Sequence, residues 1–235
     1  MIIRPLFLLP VVLMTGCATT STTRQPAFTL AIPAAFNHSV ELKRIRIGDD
    51  LWAPPPTPDK AKYPITKYAG AWGKQNFVDR QEHSWKIEVS LAPTARIQQI
   101  QKACSEATDG YDAGHRVDED GSYMFARFAH KDFRWGRAFS YLTQFTQDTS
   151  VYVPHNGHLT YEVWGITKNG SHVVHATFNL THPKLRTWGP EVRVADSIEA
   201  LKKDRDYALI ESCSSSAFEP GLTEIDSLLN SLEVE

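Results

Sequence analysis

The chain has 235 residues, 42% of them hydrophobic and 22% charged, with six tryptophans and a formal net charge of −2 at pH 7. These are the proportions of a globular protein with enough apolar mass for a packed core. No region carries the basic excess of a nucleic-acid surface, so the expected partners do not include nucleic acid.

Arg4 is the only charge before residue 24, and the run from Pro5 to Met14 is apolar but far shorter than the roughly 20 residues that span a bilayer. The pattern predicts a signal peptide over residues 1–16, not an anchor helix. The run ends in Leu13-Met14-Thr15-Gly16-Cys17, small residues ahead of a cysteine. This stretch resembles the lipobox of bacterial lipoproteins, with Met14 where that family usually carries Leu or another aliphatic. The resemblance implies that Cys17 is lipidated and becomes the mature N-terminus; the alternative is an ordinary secretory signal with an incidental cysteine. Without Asp at position 18, the sorting logic of that family implies the periplasmic face of the outer membrane. More than one acyl chain is what stable anchoring requires. Residues 17–26, small and polar after the cysteine, read as a flexible tether, which leaves 27–235 as one domain.

Two cysteines remain, Cys104 and Cys213. In an exported protein a pair of thiols predicts a disulfide. It would close a loop of about 110 residues, roughly 4 to 5 kcal/mol on the chain-entropy estimate. The alternative, a nucleophilic cysteine, needs a positioned histidine and a reduced thiol.

Along the domain, "FTLAIP" from Phe28 reads as a first strand. Val40, Leu42, Ile45 and Ile47 form a second, whose phase slips once. "LWAPPPTPDKAKYP" is a proline-dense loop. "SWKIEVSL" is the cleanest half-buried strand, with Trp85, Ile87, Val89 and Leu91 on one face. Ile97, Ile100, Cys104 and Ala107 mark a helix from Pro93 to about Thr108. "DAGHRVDEDGS" reads as an acidic turn, and it is not a calcium loop because Arg116 and Arg127 fall where carboxylates are required.

From Ser122 to Leu180 the pattern predicts an antiparallel meander, "SYMFARFAH", "RAFSYLTQFT", "HLTYEVWGIT" and "SHVVHATFNLT". Asn169-Gly170 predicts a two-residue type I′ turn. Trp164 should then face His175, and Tyr161 should face Phe178. That register gathers Leu159, Tyr161, Val163, Val174, Ala176, Phe178 and Leu180 on a core face and leaves the other face half polar. Asp196 and Glu199 suggest the start of a short helix, "YALIESCS" a strand, and Leu222, Ile225, Leu228, Leu229 and Leu232 a closing helix. The fold class is therefore α+β, a central antiparallel sheet flanked by helices. The segments "FTLAIPAAF", "YEVWGITKNGSHVVHATFNLTHPKL" and "SSSAFEPGLTEIDSLLNSL" resemble the PsbP-like family. That resemblance implies an antiparallel sheet between helices and a role as a binding or accessory module; it carries no ligand-contacting residue across.

Two clusters invite function. The segment "RFAHKDFRWGR" sets Arg127, Lys131, Arg134, Trp135 and Arg137 close in sequence, a candidate surface for an anionic headgroup, a glycan or an acidic protein patch. The alternative is the solvated side of two strands. His155, His158 and Glu162 are the weak candidates for a metal, although no metal site and no cofactor are expected. There is no G-x-S-x-G, H-E-x-x-H or comparable catalytic signature. The reading is a non-enzymatic lipoprotein, held to the membrane by its lipid and binding an envelope protein or glycan. Its rivals are an immunity-type lipoprotein that neutralises an envelope-targeted toxin, and an envelope hydrolase built around His155, Glu162 and His175.

Overall fold

The computed structural model describes residues 28–29, 39–41, 65–71, 84–117, 122–145, 151–187, 189 and 192–234. The signal peptide, Cys17 and the tether lie outside them, as do the proline-dense loop and most of the first strand expected from Phe28. The elements in chain order are β1 (Phe28–Thr29), β2 (Ser39–Glu41), β3 (Ile65–Ala71), β4 (Ser84–Leu91), α1 (Thr94–Glu106), α2 (Gly110–Arg116), β5 (Ser122–Phe133) and β6 (Gly136–Phe145). There follow β7 (Val151–Tyr152), β8 (Leu159–Thr167), β9 (His172–Asn179), β10 (Val194–Ala195), α3 (Ile198–Lys202), α4 (Arg205–Ser212), α5 (Leu222–Asn230) and β11 (Glu233–Val234).

One sheet runs in the order β2-β3-β4-β9-β8-β6-β5, with every neighbouring pair antiparallel. The chain leaves the sheet at β4, crosses one face through α1 and α2, and returns at the far edge as β5. It then folds back as a meander until β9 meets β4. Period-2 alternation makes both faces of the sheet usable. On the first face Trp85, Ile87, Leu142, Tyr161, Val163, Ala176 and Phe178 pack against Tyr207 and Ile210 of α4 and the Leu222, Ile225 and Leu229 stripe of α5. On the second, Phe139, Ile166 and Val173 pack under Ile100, Ala103 and Cys104 of α1. The class is α+β, with a helical layer on each face.

The meander and its core face are as the sequence predicts, with Trp164 opposite His175 and Tyr161 opposite Phe178. The turn that sets this register differs from the expected type I′ loop. Gly170 N–H donates to Thr167 O at 2.8 Å, and among the described turn residues only Gly170 has positive φ, at 67°. Both residues of a type I′ turn need positive φ.

Two elements correct the sequence reading. The first part of the expected acidic turn, Asp112–Arg116, is helical, while residues 118–121 lie outside the described residues: Asp109 caps α2 by accepting from Asp112 N–H, and the helix carries Gly110 and Gly114. Their helix-weakening effect is offset by close packing, since a Cβ on Gly110 would lie 2.7 Å from Phe125 Cβ and one on Gly114 would overlap the Phe125 ring. "YALIESCS" is not a strand but α4, capped by the Asp204 side chain accepting from Asp206 N–H, with Tyr207 and Ile210 buried three positions apart.

The expected Cys104–Cys213 disulfide is also corrected, since both thiols are free. Cys104 sits in the α1 layer with Sγ 3.6 Å from Arg137 O, and Cys213 ends α4 on the other face with Sγ 3.7 Å from Ile210 O. The sheet lies between them. Burial pushes the Cys104 thiol up to about 12, so at pH 8 only about one part in ten thousand is thiolate. In a Cys17→Ser chain, Cys104 should resist alkylation in the native state, and both thiols should react after denaturation without reductant. Failure of the denatured chain to take up reagent would restore the bridge.

Candidate functional site

The cationic and aromatic segment is divided by a bulge in β5. Pairing passes from Ala126↔Leu142 to Ala129↔Ser140, so Arg127 and Phe128 together oppose Tyr141. Arg127 has φ 53°, the left-handed region. There its backbone N–H donates to Glu211 Oε1 at 3.1 Å, and Nη1 donates to Cys213 O at 2.5 Å and Ile210 O at 3.3 Å. The guanidinium thus neutralises the carbonyl end of α4.

Lys131 is likewise engaged. Its Nζ lies 2.6 Å from Asp226 Oδ2 on α5, while Asp226 Oδ1 accepts from the buried Tyr161 hydroxyl at 3.1 Å. Trp135 is 4% exposed and donates from Nε1 to Leu229 O at 2.9 Å. Asp226→Ala should therefore cost about 1 to 3 kcal/mol, because it strands the Tyr161 hydroxyl in the core. Urea unfolding measures it; an unchanged midpoint would mean that the network contributes nothing.

Of the five candidates, Arg134 and Arg137 keep exposed side chains. Arg134 stands in the β5–β6 turn, fixed by its N–H donating to Asn230 Oδ1 at 2.8 Å. Next to it Lys168 N–H donates to Trp135 O at 2.8 Å, which docks the β8–β9 turn against the β5–β6 turn. Asn169 Oδ1 rigidifies that second turn by accepting from Thr167 Oγ1 at 2.7 Å and Ser171 Oγ at 2.6 Å. Between the turns lies an open cavity of about 310 Å³. Arg134 and Lys168 supply its charge, Trp135 and Leu232 its apolar wall, and Asn169 and Glu233 further polar groups. Neither Arg134 nor Lys168 forms an ion pair with any described residue. Thr29 of β1 pairs with Glu233 of β11, so β1 lies at the lip of this cavity.

The histidines part company. His155 is buried in the loop before β8, its Nδ1 2.9 Å from Val153 O and its ring 5.4 Å from that of His158. Glu162 instead lies on the α1 face of the sheet. Its Oε2 is 2.6 Å from His175 Nε2 and accepts from Thr177 Oγ1 at 3.1 Å. The His175 ring stacks on Trp164 at 3.7 Å, and Glu88 approaches its Nδ1 at 3.9 Å. The trio His155, His158 and Glu162 is thus not brought together. Among the described residues no group of three His, Cys, Asp or Glu side chains is placed to hold a metal.

Sequence reasoning missed Lys168, Asn169, Glu88 and Thr177. The hairpin register alone set Thr177 opposite Glu162, so that pair was within reach. Lys168 was hidden as an ordinary turn residue.

Burial holds the imidazoles of His155, His172 and His182 below their ordinary value of 6.5. The unfolded chain takes up protons at these sites first, so their stabilisation is complete above about pH 6.5 and is lost as pH falls through the folded values. The urea midpoint should be lower at about pH 5 than at pH 7.5, and His172→Gln should flatten the slope. An identical midpoint at both pH values would contradict this.

Fold and site together define an α+β domain with a cationic cavity at one end of its sheet. No protein-family model matches the chain, and the comparisons with curated proteins and with solved structures find no match.

Proposed function

We propose that this chain is an outer-membrane lipoprotein whose PsbP-like domain works on the periplasmic face as a non-enzymatic accessory or binding module for an envelope component. One observation carries the reading: β1 pairs with β11 beside the cavity, so a tether from Cys17 would arrive where the free cations stand. Eleven positions separate Cys17 from Phe28, a reach of at most about 40 Å. A lipid at Cys17 would hold the cationic end of the domain within that distance of the bilayer. The sheet between helical layers, with its meander register, is in keeping with the PsbP-like resemblance.

Capture from envelope membranes tests it, comparing the wild-type chain with Cys17→Ser. Acyl chains on the Cys17 peptide and a protein or glycan retained by the wild type are expected. An unmodified Cys17 with no retained component would overturn the proposal, and a retained toxin would turn it into the immunity-type reading.

A second reading, an envelope hydrolase, is favoured by the Glu162–His175 contact at 2.6 Å, a carboxylate positioned to orient an imidazole base. Hydrolysis of envelope lipids or glycans that vanishes in Glu162→Gln without loss of folding would establish it. Activity unaffected by that change would remove it.

A further inference from the structure

We propose that the cavity between the β5–β6 and β8–β9 turns binds the phosphate of an anionic phospholipid headgroup, so that the domain docks on the membrane to which its tether leads. This rests on the anchored reading above, which supplies the bilayer.

The chemistry of the cavity suits that ligand. Arg134 and Lys168 are exposed, stand on two different turns and form no ion pair with any described residue. A forked guanidinium and an ammonium converging from two sides match the oxygens of a phosphodiester. Glu233 also lines the cavity. Among the described lining residues two cations stand beside this one carboxylate, a cationic excess that suits an anionic headgroup. Trp135 and Leu232 form the apolar floor of the cavity and are themselves almost wholly buried, so the polar rim makes the contact with the headgroup.

Position favours a lipid over a free anion. β1 pairs beside Glu233, so a tether joined to Phe28 would start near the cavity. The turns are rigid, held by Lys168 N–H to Trp135 O at 2.8 Å and Arg134 N–H to Asn230 Oδ1 at 2.8 Å. The tether confines the domain near the bilayer at millimolar effective concentration, so a weak headgroup contact is enough to orient it.

The test separates docking from anchoring by using the purified Cys17→Ser chain, which has no lipid of its own. Its sedimentation is measured with vesicles of phosphatidylglycerol mixed into phosphatidylcholine, with phosphatidylcholine alone, and with phosphatidylethanolamine mixed into phosphatidylcholine. Binding is expected with phosphatidylglycerol only. Each cation near an anionic surface contributes about 1 kcal/mol, so Arg134→Ala/Lys168→Ala should weaken binding about 30-fold. Lys102→Ala/Lys203→Ala, which removes two exposed cations elsewhere, should leave it unchanged. Unchanged thermal unfolding of both variants shows that each is folded, and Arg134→Glu/Lys168→Glu should abolish binding outright. Equal binding to all vesicles, equal loss in the two alanine pairs, or capture of inorganic phosphate without vesicle binding would each overturn the proposal. Acylation at Cys17 in the wild-type chain is read separately by peptide mass. An acylated chain that ignores the vesicles defeats the docking proposal alone, whereas an unmodified Cys17 defeats the anchored reading.

Discussion

Gly136→Ala should destabilise the domain by about 3 kcal/mol or more, on the order of 10 °C in Tm. A Cβ at this position would overlap the carbonyl oxygen of Ile166 and crowd the Cα of Thr167. Those obstacles are backbone atoms of the central strand β8, paired to β6 in the register Gly136↔Thr167, so neither can rotate away. The strain would reach the cavity, because Trp135 and Arg134 immediately precede the glycine and Lys168 follows Thr167. Gly165→Ala is a useful comparison. Its Cβ would meet Trp135 Cη2 at 2.6 Å and Ala138 Cβ at 2.7 Å as well as Arg137 O at 2.7 Å, an obstruction made partly of side chains. It should be the milder of the two. Thermal and urea unfolding measure both, and a Gly136→Ala protein that melts with the wild type would show that the β6–β8 register at this end is wrong.

Arg127→Ala should cost about 2 to 3 kcal/mol, the range for losing charge-assisted hydrogen bonds to partly buried carbonyls. The variant keeps the unfavourable left-handed backbone and loses the guanidinium that closes the end of α4 on Ile210 O and Cys213 O. Arg127→Gly loses the same contacts but relieves the backbone, which is worth about 1 kcal/mol. It should therefore be the more stable of the pair, an ordering opposite to that of an ordinary strand position, where glycine is the worse residue. Paired urea titrations decide it. If alanine proves the better tolerated, the bulge conformation does not hold. Neither variant should impair vesicle binding once folding is accounted for, since Arg127 faces α4 and not the cavity.

The difference between Arg127 and Arg134 shows where sequence reasoning stops. The two residues lie in one short cationic run, and nothing in its composition distinguishes them. The distinction comes from chain segments about 80 to 100 residues away: α4 takes Arg127, Asp226 takes Lys131, and the Leu229 carbonyl takes the Trp135 indole. Arg134 is left over, and the turn carrying Lys168 is brought to it by the β6–β8 pairing. The same limit explains the disulfide. Two cysteines in a chain expected to be exported are a sound reason to expect a bridge, but chemistry and compartment say nothing about which side of a sheet each thiol occupies.

Local physics was enough for the meander and its core face. A side-chain period of two and a turn signal specify register, and register sorts Leu159, Tyr161, Val163, Val174, Ala176 and Phe178 to one side. It was enough as well for α1 and α5, whose apolar stripes recur at three and four. Only the tertiary structure decided that "DAGHR" and "RDYALIES" are helical. Glycines in α2 disfavour a helix until Phe125 occupies the space they leave, and the short apolar run of α4 has no decisive period until α4 packs on the sheet. The bulge at Arg127, the separation of Cys104 from Cys213 and the meeting of Arg134 with Lys168 were decided there too, because each depends on contacts between segments whose distance along the chain carries no record of their distance in space.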